Sequence, residues 1–412
     1  MQQASTKPRI VIFLVCTFFY WSAVYTYNPT MTPYLADLGI SFSMIGLIGG
    51  SYGFAQMLLR VPVGVMSDRL GKRKLFIIFG VIAGAVSTSG MFFTQNAFLI
   101  LALRLLAGVS ASAWVVFTIL FTGYFEKNKH ASRISYLFMV NGFALMFSKL
   151  FGGLVAENYG HEYTFVLGGA AGIIAIILSL FITEKTPEAK ELPSLKKLFG
   201  VIKNPNLIAM SILAIFLQMV MFATINTFTP EAATRAGADL MMLGILATVS
   251  SVPAIISSFL CGRLFSRYKI NIRHVVASGF ALQMAGALII PFTNSMTAVF
   301  VSTIILGFGC GICMSTLLGF CTITVDEGRR SAAMGFFQAI YGFGMFIGPV
   351  ITGIFVDWSG LSGGFFASAA FALTGLVLTF LLSGIGHSND SNESNDSNDS
   401  NDSINNDSIA SD

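Results

Sequence analysis

Long apolar runs separated by short polar breaks fill most of this chain. About twelve runs reach the roughly 20 residues a helix needs to cross a bilayer: 10–35, 43–66, 74–94, 97–124, 133–157, 163–183, 206–230, 241–264, 273–292, 296–324, 331–357 and 363–384. Apolar residues follow one another without the two-residue alternation of membrane strands, so the runs predict helices and not a barrel. The first run starts after Lys7 and Arg9 and lacks a short core with a small-residue cleavage site. It therefore reads as the first spanning helix and not as a removed leader. From Ser388 the chain repeats Ser-Asn-Asp, with almost nothing to bury, which predicts a disordered tail.

Charge then orients the runs. Of 24 Lys and Arg, three lie inside runs (Arg60, Arg104, Lys149), and Arg235 lies in a break on the opposite side from the rest. The others fall at the N-terminus and in every second break: 66–74, 124–133, 184–205, 262–273 and 325–330. Basic breaks stay on the cytoplasmic side, so both termini are expected there, with the chain multi-pass in the plasma membrane. The formal charge of +4 hides this asymmetry, because seven acids lie after residue 386. The excess orients helices in a lipid bilayer and implies no nucleic-acid partner. With 54% hydrophobic and 11% charged residues, the chain has too little polar surface for a soluble protein.

The chain also repeats itself. Residues 141–160 and 341–360 align at an offset of 200, matching Gly142 with Gly342, Phe143 with Phe343, Gly153 with Gly353, Glu157 with Asp357 and Gly160 with Gly360. Asn28 and Asn226 correspond, and Gly64 through Arg69 corresponds to Gly262 through Arg267. The expected organisation is therefore an N-terminal six-helix bundle over 1–183, a cytoplasmic linker over 184–205, a C-terminal six-helix bundle over 206–384 and the tail over 385–412. Paired halves with a site between them are the architecture of alternating-access carriers.

One break carries a motif. Gly64-Val-Met-Ser-Asp68-Arg69-Leu-Gly71-Lys72-Arg73-Lys74 joins the second and third runs by a very short basic turn. It closely resembles the signature loop of the major facilitator superfamily of secondary transporters. A second similarity is Leu103-Arg104-Leu-Leu-Ala-Gly108 in the fourth run. The resemblance covers about residues 9–384. It implies an all-α membrane fold of twelve helices in two pseudo-symmetric bundles. It implies that Asp68 pairs with the loop cations and the start of helix eleven while the cytoplasmic side is shut, and that Arg104 is tied to substrate or proton coupling. Family carriers usually work as monomers. Two positions depart from the family pattern. Ser148-Lys149 stands where drug antiporters carry glycine-proline, a pair found here in the other half as Gly348-Pro349. Ser266 replaces the second copy of Asp68.

Charges at the bilayer centre cost about 3 kcal/mol or more, so Arg60, Arg104 and Lys149 are expected to face a cavity or a partner. At about 1.5 Å per residue, Arg104 and Lys149 lie at similar depth, roughly 10–12 Å below the outer surface, and Arg60 lies toward the cytoplasm. Arg60 shares an i, i+4 stripe with Tyr52, Gln56 and Gly64. No carboxylate is evident inside any run. Asp37, Glu157, Glu231, Asp239 and Asp357 map to outer ends. A bound anion would balance the cations, with a bidentate grip from Arg104 and a point charge from Lys149. Three alternatives stay open: Arg104 bonding backbone carbonyls of the first helix, Lys149 carrying a proton, and Arg60 snorkelling to the surface. Tyr25, Asn28, Asn141, Gln218, Asn226, Gln338 and Tyr341 are the neutral cavity candidates, Gln218 and Tyr341 first because they fall near mid-helix.

The leading expectation is ion-coupled uptake or exchange of a small organic anion or zwitterion, with H+ as the coupling ion. The alternative is proton-coupled drug efflux, against which the missing acid and the missing glycine-proline pair both count. A membrane enzyme would need catalytic groups inside the runs, yet His130, His161, His274 and His387 all fall at run ends or breaks. Cys310-Gly-Ile-Cys313 has the spacing of a redox or metal pair. Its setting among glycines reads instead as close helix packing. No cofactor is expected.

Overall fold

The computed structural model describes residues 7–125, 130–184, 204–267, 271–323, 325 and 330–382. The linker 185–203 and the tail from residue 383 lie outside the described residues. The described chain is helical: α1 (Lys7–Tyr25), α2 (Met31–Asp37), α3 (Phe42–Leu70), α4 (Arg73–Phe92), α5 (Ala97–Ser112), α6 (Trp114–Thr122), α7 (His130–Tyr159) and α8 (Glu162–Leu180). After residue 203 follow α9 (Pro205–Ala223), a π-helical turn (Thr224–Phe228), α10 (Thr229–Arg235), α11 (Leu240–Val249), α12 (Ser251–Arg267), α13 (Ile272–Ile289), α14 (Met296–Ile323) and α15 (Arg330–Leu381).

Among the described residues, eleven stretches are long and apolar enough to cross a membrane. The expected runs 331–357 and 363–384 both fall in the last, Ala333–Leu381. They are separated where Ser359 and Gly360 leave helical geometry, with Gly360 at φ 75° and ψ −178°. Only glycine adopts such a conformation readily. The two segments then lie side by side, with Thr352 and Ser368 hydroxyls 3.4 Å apart. Gly160 has φ 101° at the equivalent corner between α7 and α8.

Several runs are less regular than expected. The run 10–35 is two helices: α1 stops at Tyr25, ahead of Pro29, which disfavours a helical Asn28. The run 97–124 is interrupted at Ala113 and the run 241–264 at Ser250. In the run 206–230 the helix widens into a π turn just before Pro230, which has no N–H to offer Asn226. Each interruption leaves a single candidate span.

Packing brings α3 and α9 along α15, α7 against α11, and α4 against α8, with α1 beside both α7 and α8. Large apolar side chains such as Phe79, Ile173, Ile255 and Phe259 remain exposed on the flanks, as a lipid-facing surface requires. One end of the molecule carries Asp37, Glu157, Asp239 and Asp357. The opposite end carries Asp68 and Arg73. There Gly71 closes α3 in the left-handed region, and Glu184 accepts hydrogen bonds from the first amides of α4, Arg73 (2.7 Å) and Lys74 (3.1 Å). Glu184, expected at the start of the linker, thus folds back as a helix cap.

Candidate functional site

Asn28 in the turn after α1, Arg104 on α5 and Asn226 in the π turn line one narrow cleft, whose free core is about the size of one water. Ile45, Ile48, Met31, Leu35 and Phe222 form its apolar walls, with Thr32 and Thr227 between them. Two residues that correspond in the internal repeat, Asn28 and Asn226, therefore face the same space. The π turn is what carries Asn226 there, and such turns are frequent where a helix is bent to functional use.

Arg104 is held by side chains and not by the carbonyls of α1. Its guanidinium donates to Tyr27 Oη (2.7 Å) and Asn28 Oδ1 (3.1 Å), and it lies over the Tyr52 ring at 4.9 Å. Nε is buried without an acceptor. Lys149 on α7 is also buried, and its Nζ sits 5.9 Å from the centre of the Tyr25 ring. Tyr25 and Tyr52 share a hydrogen bond of 3.2 Å. The two cations are thus joined through two tyrosines, in line with their similar expected depth. Cation–π contacts of this kind contribute about 0.5–2 kcal/mol each and leave the charge in place.

Arg60 forms a second cluster further toward the Asp68 end. It donates to Gln56 Oε1 (2.7 Å), Gln338 Oε1 (3.0 Å) and Tyr341 Oη (3.2 Å). At 5% exposure it does not snorkel. The expected stripe of Tyr52, Gln56 and Arg60 is buried along α3, joining α3 to α15.

The remaining candidates stand apart from the cleft. Gln218 is buried with Oε1 unpartnered, and Asn141 has its Oδ1 unpartnered. Tyr341 and Gln338 serve Arg60. In the loop motif, Asp68 pairs with Arg73 at 2.8 Å, while the side chains at the start of α15 lie outside the described residues. Gly64 meets Val115 on α6. Among the described residues no carboxylate pairs with Arg60, Arg104 or Lys149; acids pair elsewhere, as in Asp68–Arg73, Glu231–Arg235 and the longer Asp37–His161 contact. Cys310 Sγ lies 3.2 Å from Met221 Sδ, and Cys313 reaches the carbonyl of Val276.

Tyr27, Phe222 and Thr227 were not among the sequence candidates. The Tyr25-Thr-Tyr27-Asn28 cluster at the end of an apolar run was a usable signal for Tyr27. Phe222 and Thr227 offered none, since Pro230 marks a break in the run but not which side chains it turns toward the cleft.

Apolar spans around a cation-lined cleft define a polytopic membrane transporter. The family model of the Major Facilitator Superfamily matches residues 13–328 and 212–400, and the chain belongs to that family. It is 26% identical over 388 residues to an uncharacterized MFS-type transporter of Methanocaldococcus jannaschii, covering 91% of this chain and 98% of that one. It is 22% identical over 387 residues to a multi-drug resistance efflux pump PmrA homolog of Lactococcus lactis, covering 91% and 95%. The fold matches a bacterial homolog of the human lysosomal transporter Spinster, solved inward-facing and unoccupied, with TM-score 0.78 and 16% identity over 93% of this chain and 98% of that one.

Proposed function

We propose that this transporter is a secondary active carrier that moves a small organic anion or zwitterion by alternating access, with protons as the coupling ion. One observation carries the reading. Arg104 and Lys149 are buried together, bridged by tyrosines that do not neutralise them, and Arg104 opens on a cleft with amide and hydroxyl groups. Once the cleft widens beyond the single-water core of this state, a carboxylate or phosphate there would receive the free Arg104 Nε–H and balance the charge. Residues 1–183 and 206–384 would be the two rocking halves, joined by the linker 184–205. The Asp68 end would face the cytoplasm together with the tail, as the basic breaks require. The carrier would act as a monomer.

The test is binding to purified Lys149→Ala protein that still melts cooperatively, using small carboxylates each paired with its own amide. The reading expects the carboxylate to lose about 2–5 kcal/mol and the amide far less. An unchanged preference for the carboxylate refutes it. Proton-coupled drug efflux remains the second reading, favoured by the named activity of the Lactococcus relative. Preferential binding of lipophilic cations by the parent protein would select it.

A further inference from the structure

The internal repeat reappears at the Asp357 end as two copies of one contact. On α7, Gly153 and Glu157 are four residues apart, and on α15 so are Gly353 and Asp357. This spacing places each glycine and carboxylate on one helix face. Asp357 accepts hydrogen bonds from the amides of Phe42 (2.8 Å) and Ser43 (2.7 Å) at the start of α3, and from the Ser43 hydroxyl. Glu157 accepts from the amide of Leu240 (2.9 Å) at the start of α11. Both carboxylates therefore occupy the positive, donor-rich N-terminus of a helix from the other half of the chain.

The glycines match as well. A Cβ on Gly353 would collide with the carbonyl of Phe42 and come within 3.1 Å of Ser43 Cα. A Cβ on Gly153 would come within 2.9 Å of Gly244 Cα and the Leu240 carbonyl. One turn deeper, Gly46 abuts the carbonyl of Pro349, and Gly244 abuts that of Lys149. Gly46 and Gly244 correspond at an offset of 198, as do the helix-capping residues Ser41 and Asp239; Pro349 and Lys149 correspond at 200. The repeat thus preserves both sides of the contact, glycine against backbone and carboxylate against helix start.

We infer that Gly153/Glu157 and Gly353/Asp357 are a duplicated lock that positions the two halves with the Asp357 end closed. Hydrogen bonds between the halves run from Asp357 and Glu157 at the rim as deep as Arg60 with Gln338 and Tyr341. Opening the Asp357 end must pull both carboxylates off their helix starts. Each removal therefore shifts the balance toward the open end. The copies are unequal, because Asp357 takes two amides and a hydroxyl and Glu157 takes one amide.

The lock is tested on purified full-length protein in detergent with no substrate present. Orientation in the bilayer and the nature of the substrate then play no part, so failure of the anion reading leaves the result untouched. The reporter is Ile45→Cys in the cleft, labelled by a bulky hydrophilic maleimide, with the protein lacking the reporter measuring background from the five buried native cysteines. Labelling is expected to rise about fivefold in Asp357→Ala, less in Glu157→Ala, and more in the double variant than in either. Asp357→Asn, which keeps the shape and loses the charge, should show part of the rise and serves where the alanine variant fails to fold. Parent-rate labelling in the folded double variant, or in folded Asp357→Asn if that is the variant obtained, overturns the inference.

Discussion

Replacing Arg104 by lysine separates a binding arginine from a structural one. Lysine keeps the charge and much of the stem but loses the planar fork. The fork makes two charge-assisted bonds, 2.7 Å to Tyr27 and 3.1 Å to Asn28, and lies 4.9 Å from the Tyr52 ring. An ammonium has three N–H donors but gathers them at one point, so it cannot reproduce the fork's plane and spacing or replace the buried Nε–H. A hydrogen bond to a charged group contributes about 1.5–3 kcal/mol. If an anion uses that Nε–H, its affinity should fall by about 2–3 kcal/mol, or roughly 30- to 150-fold in Kd. An amide of the same shape should lose much less. If the fork only ties α5 to the turn after α1, the variant should melt lower and bind carboxylate and amide with unchanged ratio. Titration calorimetry of both ligands against folded Arg104→Lys decides the matter. Carboxylate binding within threefold of the parent would refute the Nε–H contact to the anion.

Two further outcomes are expected. Asp68→Asn removes the negative charge paired with Arg73, and it should leave folding and insertion intact while crippling transport in a liposome uptake assay. Activity equal to the parent would remove Asp68 from the gate. His161 lies outside the spans, and burial of its ring holds its pKa below the ordinary 6.5 despite the nearby Asp37 carboxylate. The unfolded chain then binds the proton more readily, so this histidine's contribution is present above pH 6.5 and is lost as pH falls below it. The drop in melting temperature between pH 7.5 and 5.5 should shrink in His161→Phe, and an unchanged drop would rule this histidine out as its source.

The spans were legible because uninterrupted apolar runs and charged breaks both report on the same bilayer. Their internal breaks were less so. Pro29 and Pro230 mark two of them, but at Ala113 and Ser250 the backbone departs only slightly from helix, and no residue type announces that. The depth argument expected Arg104 and Lys149 at similar depth in one half, since rise per residue is fixed by hydrogen-bond geometry, and the structure has both near the Tyr25–Tyr52 pair. Depth could not reveal Tyr25 and Tyr52 between them, because which ring faces which cation depends on helix rotation. Gln218 shows the limit of position as a guide: it is mid-helix and buried, yet it does not line the cleft, whereas Phe222 one turn on does. Arg60 was ambiguous because its second partner, Gln338, is 278 residues away.

Three buried cations invite the simplest remedy, a carboxylate on a neighbouring helix, and the described residues offer none. Hydroxyls, amides and ring faces surround the charges instead. These lower the cost of burial without cancelling the field, which is the basis of the proposal that the region takes an anion. An acid placed beside Lys149 would stabilise the resting protein more, but would also compete with a negatively charged substrate. The carboxylates that the chain does place between its halves, Glu157 and Asp357, lie at the rim, against backbone amides. There they contribute to closure and stay away from the cations. On the two proposals, attraction belongs to the cleft and closure to the rim. Changes at Arg104 or Lys149 should therefore act first on which ligand binds, and changes at Glu157 or Asp357 first on which end is open.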